Sequence, residues 1–249
     1  MSDRYINKPG DQNSLFWRDT HLRIDGRGSY FLQNLFLCDW NFCAPKEHQV
    51  EFDADYFSPA PDATTHEGAI VQIGASGPDS RMPTLLFSFM QVINLARKEL
   101  LVTTPYFIPG DSLLDALVVA ALSGVKVRML VPGESDSLLV NGAASSYYGE
   151  LMQAGVEIYR YRKGFVHAKT MVADGQLASI GTANMDYRSF DLNFEVAAFV
   201  YDADLAGQLR KAFYDDLSHA EPIDYATWRD RPVWKKMLQK AARMVSPLL

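Results

Sequence analysis

The sequence predicts an α/β protein: a mixed, mostly parallel sheet flanked by helices on both faces. Three observations predict it. From Ala69 to Tyr159, short apolar strand-like runs alternate with helical patterns, the order that buries a parallel sheet between helices. Two of these strands stop at proline, at Thr104-Pro105 and at Val131-Pro132, which puts loops beyond their carboxyl ends, where such sheets hold ligands. A further run, Phe165 to Ala183, breaks into two strands at Asp174-Gly175, a strong hairpin signal because a type I′ turn needs positive φ at both central residues.

In chain order, the first twenty residues are polar and turn-rich around Pro9-Gly10-Asp11 and read as a loop. His21 to Asp25 is a short strand candidate, Tyr30 to Trp40 has helical apolar spacing, and residues 44–66 form a polar, proline-punctuated connection. Ala69 to Ala75 is then a strand, Thr84 to Lys98 an amphipathic helix and Glu99 to Thr103 a strand. Asp111 caps a helix running to Leu122, Val125 to Val131 is a strand, and the helix Asn141 to Ala154 leads into the strand Val156 to Tyr159. After the hairpin come the strand Phe194 to Tyr201 and the helix Val233 to Val245. The chain divides into a connecting segment (1–66), a domain carrying the chemistry (67–220) and a basic C-terminal helical segment (221–249).

With 249 residues, 48% apolar and 22% charged, the chain can bury a sizeable core and lacks the composition of a disordered one. Its net charge of −6 is uneven. From Arg229 onward six bases meet one acid, a local +5 that leaves −11 on the first 228 residues. So acidic a body disfavours nucleic acid as partner, since that binding rests on phosphate neutralisation by Lys and Arg. Cys38 and Cys43 lack the neighbours of a zinc site and read as reduced thiols; neither metal nor cofactor is expected. No stretch reaches the ~18 apolar residues of a membrane span, and no basic-then-apolar leader opens the sequence.

The hairpin carries the chemistry. Alternation puts His167, Lys169 and Met171 on one face of its first strand, and Ala168, Thr170, Val172 and Asp174 on the other. Imidazole and ammonium can therefore grip one phosphate. The lysine brings charge and three donors; the histidine, with an ordinary pKa near ~6.5, can attack phosphorus or protonate a leaving oxygen. Asp174, at the turn, is better placed to hold the hairpin than to touch substrate. Gly181 permits close backbone approach, and Thr182 and Asn184, two apart, can face one ligand. Glu195 lies in an apolar strand, where a carboxylate is costly unless paired; an imidazole that it orients is the natural partner. A structural ion pair at Glu195 and simple turn roles for Thr182 and Asn184 are the plainer alternatives.

These residues form the pattern H-x-K-x4-D-x6-G-T/S-x-N with a following Glu, and the sequence resembles the phospholipase D superfamily on that account. Five such positions coincide by chance roughly once in 10⁷ starts at average composition, so the motif is specific. The wider context is similar to bacterial cardiolipin synthase. Trp17-Arg18-Asp19-Thr20-His21-Leu22-Arg23, Thr104 to Pro109, Gly181 to Phe190, Leu192 to Val196 and Ser246-Pro247-Leu248-Leu249 carry that likeness over nearly the whole chain. Family members hold two such motifs behind N-terminal membrane helices, so the resemblance reads this chain as a C-terminal half.

What the resemblance implies is a two-step phosphatidyl transfer without metal. One histidine attacks the lipid phosphorus to give a phosphohistidine while the other protonates the departing alcohol. A second phosphatidylglycerol then takes the phosphatidyl group, giving cardiolipin and glycerol. By the family pattern His167 is the general acid and base, Lys169, Thr182 and Asn184 hold phosphate, and Asp174 and Glu195 support them. The implied partners are phosphatidylglycerol or another phospholipid, a membrane surface, and a second half-site supplied by an upstream half or a homodimer mate. The implied place is the bacterial cell membrane, peripheral for this chain. A homodimeric phosphodiesterase using water, on phospholipid rather than nucleic acid, and a catalytically silent partner half are the competing readings.

Other residues divide evenly or favour structure. Tyr106 and Phe107 either line a lipid pocket or pack the sheet, Asp136 is a similar loop candidate, and His21 reads as structural rather than catalytic. In Val233 to Val245, Lys235, Lys236, Lys240 and Arg243 oppose Val233, Trp234, Met237, Leu238, Ala241 and Val245. Such a helix either lies on anionic lipid or docks its apolar face on the domain.

Overall fold

The computed structural model describes residues 16–57, 68–133 and 138–245. Asp136, the Pro9-Gly10-Asp11 turn and Ser246 to Leu249 lie outside the described residues. Strand β1 (Trp17–Arg18) and helix α1 (Gly28–Cys43) precede β2 (Ile70–Ser76), α2 (Thr84–Leu95), β3 (Glu99–Thr103) and β4 (Phe107–Ile108). Next come α3 (Asp111–Leu122), β5 (Lys126–Pro132), α4 (Leu138–Gln153), β6 (Glu157–Tyr161) and β7 (Phe165–Val166). The hairpin β8 (Thr170–Ala173) and β9 (Leu177–Gly181) leads to β10 (Met185–Asp186) and β11 (Glu195–Tyr201). Helix α5 (Ala203–Leu217), β12 (Ala220–Pro222), α6 (Tyr225–Arg229) and α7 (Val233–Val245) complete the chain.

Eight strands form one mixed sheet in the order β12-β6-β5-β3-β8-β9-β11-β2. Parallel order, expected to predominate, is confined to β3, β5 and β6, which are joined through α3 and α4. The other five pairings are antiparallel. Among these, β8 and β9 are joined by a tight turn, a link too short for a parallel crossover.

The central strands are apolar on both sides because both faces are covered. On one face Leu85, Phe89 and Ile93 of α2, Leu113 and Leu117 of α3 and Leu151 of α4 pack with Leu100, Val102, Met129 and Met171. On the other, Ala206 and Phe213 of α5 pack with Leu101, Leu130, Val172 and Ala178. The sequence reading placed no element between Tyr201 and Val233, yet α5 covers this whole second face. Its start is capped by Asp202, whose carboxylate accepts the Leu205 N–H at 2.7 Å. The strand expected at His21 to Asp25 does not form: these residues meet no neighbouring strand, and His21 is exposed. The strand lies four residues earlier, where Trp17 and Arg18 pair in parallel with Phe165 and Val166.

The Asp174-Gly175 turn is as expected, with φ of 53° and 63°. Asp and Asn tolerate this left-handed region better than other residues with a side chain. The Gln176 N–H closes the turn on the Ala173 carbonyl at 3.0 Å, and pairing resumes at Ala173–Leu177. The Asp174 carboxylate accepts the backbone N–H groups of Arg97, Lys98 and Glu99 at 2.8, 2.7 and 2.8 Å. Those donors are thereby withdrawn from helical bonding, a physical reason why α2 stops at Leu95 instead of the expected Lys98. Burial works against the charge, but the N–H groups of Glu99, Lys98 and Arg97 outweigh it and hold the Asp174 carboxyl below its ordinary range.

Because the folded value is lowered, the carboxylate's contribution is present above the ordinary carboxylate range and is lost as pH falls through the folded value. Asp174→Ala should cost about 3 kcal/mol at neutral pH, from three charge-assisted hydrogen bonds and the strained turn. Asp174→Asn, which keeps the turn tolerance, should cost less. Urea unfolding of both variants at neutral pH and in acid checks this: the deficit of the Asn variant should shrink in acid.

Candidate active site

The site forms where three strand ends meet. Backbone pairing of β1 with β7 continues past both strands, and the N–H of His167 donates to the Arg18 carbonyl at 2.8 Å. Lys169 precedes β8, which runs antiparallel to β3 with Thr170 opposite Thr103. The pair therefore lies at the carboxyl end of β3, beside the Thr104 to Pro109 loop, as expected from the sheet. Between them Ala168 is buried in the α5-side core. Its neighbours on either side emerge together on the opposite face.

Their side chains touch. Lys169 Nζ lies 2.9 Å from His167 Nε2 and donates to the His167 carbonyl at 2.7 Å. The other ring nitrogen, Nδ1, is 3.0 Å from Asp19 Oδ2. An ammonium only donates, so this geometry assigns the proton to Nδ1, donated to Asp19, and a lone pair to Nε2. Trp17 stands edge-on to the imidazole at 5.4 Å between centroids. Arg18 holds this arrangement from behind, its Nε 2.9 Å from Asp216 at the end of α5.

Asp19 was not picked out as a site residue by the sequence reading. It is 148 residues from His167 in sequence, and its one signal was membership of the family-like Trp17 to Arg23 block. The imidazole's expected partner, Glu195, bonds elsewhere: its carboxylate accepts from the Asn193 side chain at 3.1 Å. Glu195 still acts on the site through its field on Lys169.

Asn184 and Thr182 diverge. The Asn184 side chain bonds to the buried carboxyl of Asp186, and its own Oδ1 is buried without a protein partner among the described residues. Burial pushes the Asp186 carboxyl up, and this residue too was missed; Ser189 N–H donates to it at 2.7 Å. Thr182 faces β11 instead: its hydroxyl accepts the Val196 N–H at 3.0 Å. Thr182 and Glu195 line a separate cavity of about 340 Å³ with Leu35, Cys38 and Asp39 of α1. Gly181 is needed where it stands, because a Cβ there would meet the Val196 carbonyl oxygen at 2.5 Å.

Phe107 is not a pocket residue. Its 1% exposure and its contact with the Tyr147 ring put it in the core. Pairing of β4 with β10 turns it inward and ties the Thr104 loop to the Gly181 to Phe190 segment. Tyr106, half-buried against Phe165, stays beside the imidazole's neighbours. Among the described residues no group of three or more His, Cys, Asp or Glu is placed to hold a metal ion.

Burial pulls the Lys169 ammonium down to about 8, against the opposing fields of Asp19, Glu195 and Asp186. The Asp19 carboxyl is also lowered: burial raises it, but the bonds from His167 and Thr20 and the fields of His167 and Lys169 outweigh burial. One ammonium thus faces three carboxyl groups, and all of its charge is present only below about pH 8.

The fold and this site define a phospholipase D-like domain. Solved structures share the fold: the phospholipase D family member Nuc from Salmonella typhimurium has a TM-score of 0.53 at 18% identity, over 63% of this chain and 99% of that one. Phosphatidylserine synthase of Haemophilus influenzae has a TM-score of 0.56 at 17% identity, over 72% of this chain and 48% of that one. The family model described as "Cardiolipin synthase, PLD-like domain" matches residues 89–217, and the chain belongs to that family. Among curated relatives, the cardiolipin synthase of Listeria innocua is 43% identical over 249 residues, 100% of this chain and 50% of the relative. That of Geobacillus thermodenitrificans is 43% identical over 100% of this chain and 48% of its own length. The chain spans about half the length of the curated relatives it matches. No helix among the described residues is long and apolar enough to cross a membrane.

A lysine whose pKa is lowered on folding destabilises the folded state while charged. Stability therefore rises with pH from about 8 to the ordinary lysine value of 10.5. Lys169→Met should accordingly raise the melting temperature at pH 7 and lose that advantage above the ordinary lysine range. Calorimetry at the two pH values checks it; a lower melting temperature at pH 7 contradicts the balance described.

Proposed function

We propose that the chain supplies one of two half-sites for phosphatidyl transfer between two phosphatidylglycerol molecules. The observation that carries this is the His167–Lys169 pair, with Nε2 and Nζ 2.9 Å apart and Nδ1 anchored on Asp19. The lysine occupies the position beside Nε2 that a phosphoryl oxygen would take, so a bound phosphate replaces one contact with two.

In the first step an imidazole nitrogen of the other half-site attacks the donor phosphorus. The phosphorus–oxygen bond to glycerol breaks, and the departing oxygen takes a proton from Nε2 of His167, which binds that proton once the phosphate has drawn Lys169 Nζ away from it. Asp19 accepts from Nδ1 and holds the ring in position. In the second step Nε2 takes a proton from a headgroup hydroxyl of the second lipid. That oxygen attacks phosphorus, and the phosphorus–nitrogen bond breaks. Cardiolipin leaves, and His167 again holds the proton for the next cycle. Lys169 stabilises the charge on the non-bridging oxygens.

Two features support a partner half. One ammonium among the carboxyl groups of Asp19, Glu195 and Asp186 is a poor host for a phosphodiester anion, and a second motif would add cations. Helix α1 also leaves Phe31, Phe36, Trp40 and Phe42 exposed, and its Leu35, Cys38 and Asp39 line the cavity that holds Thr182 and Glu195. Apolar exposure on that scale marks an interaction surface.

The test incubates phosphatidylglycerol vesicles with this chain, alone and with an upstream half bearing a second H-x-K motif. Cardiolipin and glycerol should form only with both halves. Phosphatidic acid as the product would replace transfer by hydrolysis, and no product from any combination would leave a silent half. In the active assembly His167→Ala should reduce the rate by at least about 10³-fold, through loss of proton transfer and anchoring. Near wild-type transfer by that variant contradicts the assignment.

A further inference from the structure

Helix α7 is mounted the wrong way round for a helix that stabilises a core. Its side toward the domain is the polar one. Ala242 is buried at the crossing with Gly142 of α4, and Arg243 stacks 4.2 Å from the Tyr147 ring centroid and reaches Glu150 at 3.5 Å. Lys236 and Gln239 lie on this same side and are half-buried. At 100° per residue, Val233, Trp234, Met237, Leu238 and Met244 share the opposite face, and each is between 59% and 84% exposed. Lys240 borders one edge of that face and Lys235 the other, its ammonium 5.5 Å from the Trp234 ring centroid.

We infer that this face is a docking surface for an anionic lipid bilayer. The charge pattern selects the occupant. An apolar face with a tryptophan, edged by long basic side chains, lets the rings and aliphatic groups enter the headgroup boundary while the ammonium groups reach lipid phosphates. The segment from Arg229 onward carries +5 on a body of −11, so attraction to an anionic surface is local and orients the molecule. A cleft of about 260 Å³ beside α7 adds to this: Trp228, Arg229, Arg231, Lys236 and Lys240 line it, and among the described residues no carboxylate does. Neither the apolar face nor this cleft includes His167 or Lys169, so the inference stands apart from the transfer reaction.

Flotation with phosphatidylcholine vesicles, with and without phosphatidylserine, tests the surface without offering phosphatidylglycerol. The chain should float with the phosphatidylserine vesicles and not with phosphatidylcholine alone. Trp234→Glu with Leu238→Glu, or Lys235→Glu with Lys240→Glu, should weaken binding at least about tenfold, and added salt should weaken it further. Both faces of the double substitution are exposed, so circular dichroism and melting should match wild type; His167→Ala should float normally. Four results overturn the inference: no flotation by the folded wild-type chain, equal flotation without anionic lipid, flotation unmoved by the substitutions, or a self-dimer that the same substitutions dissociate.

Discussion

The site rests on one constraint, the two-residue period of extended backbone across Ala168. That methyl group is sealed in the core under α5, which leaves the side chains before and after it only the opposite side. A shift of one residue would bury an imidazole and an ammonium and expose an alanine, at a cost no local contact could offset. The register is held from both directions. β1 pairs on one side through the His167 N–H, and β3 pairs on the other from Thr170 onward. Asp174 ties the far end of the hairpin to the start of β3.

Distant parts of the chain meet here for electrostatic reasons. Asp216 fixes Arg18, the Arg18 backbone fixes His167, and Asp19 receives the ring proton. Lys169 is half-buried, and burial lowers its pKa to about 8. The carboxyl groups of Asp19, Glu195 and Asp186 around it work the other way and favour its charged form.

Much of this was legible in the sequence because it was local. The bounds of β3 and α7 were read to the residue, and the Asp174-Gly175 turn announced its own φ angles. Helix α3 ends at the expected Leu122, but its cap is Gly110, and Asp111, expected as the cap, is its first residue and makes no capping bond. The mixed sheet was expected, but its parallel share was overestimated, because strand-helix alternation stops at β6 and the later links are short or irregular. The helix α5 has a legible cap at Asp202 and buried positions at Ala206 and Phe213, a signal that the sequence reading passed over. Contacts across the chain were harder. Nothing local distinguishes Asp19 from any acid in a polar block, and Glu195 sat in an apolar strand that invited the imidazole pairing. Phe107 reads as a loop residue until the β4–β10 pairing turns it inward.

Asp19 and Lys169 together fix the His167 ring, with its proton on Nδ1 and its lone pair on Nε2. Long-range proton–nitrogen NMR of the imidazole tests it most directly. The neutral ring should be the Nδ1–H tautomer, Asp19→Ala should move it toward the tautomer usual for free histidine, and a phosphate diester should shift Nε2. A ring protonated at Nε2 in the wild-type protein, unmoved by either change, would contradict it.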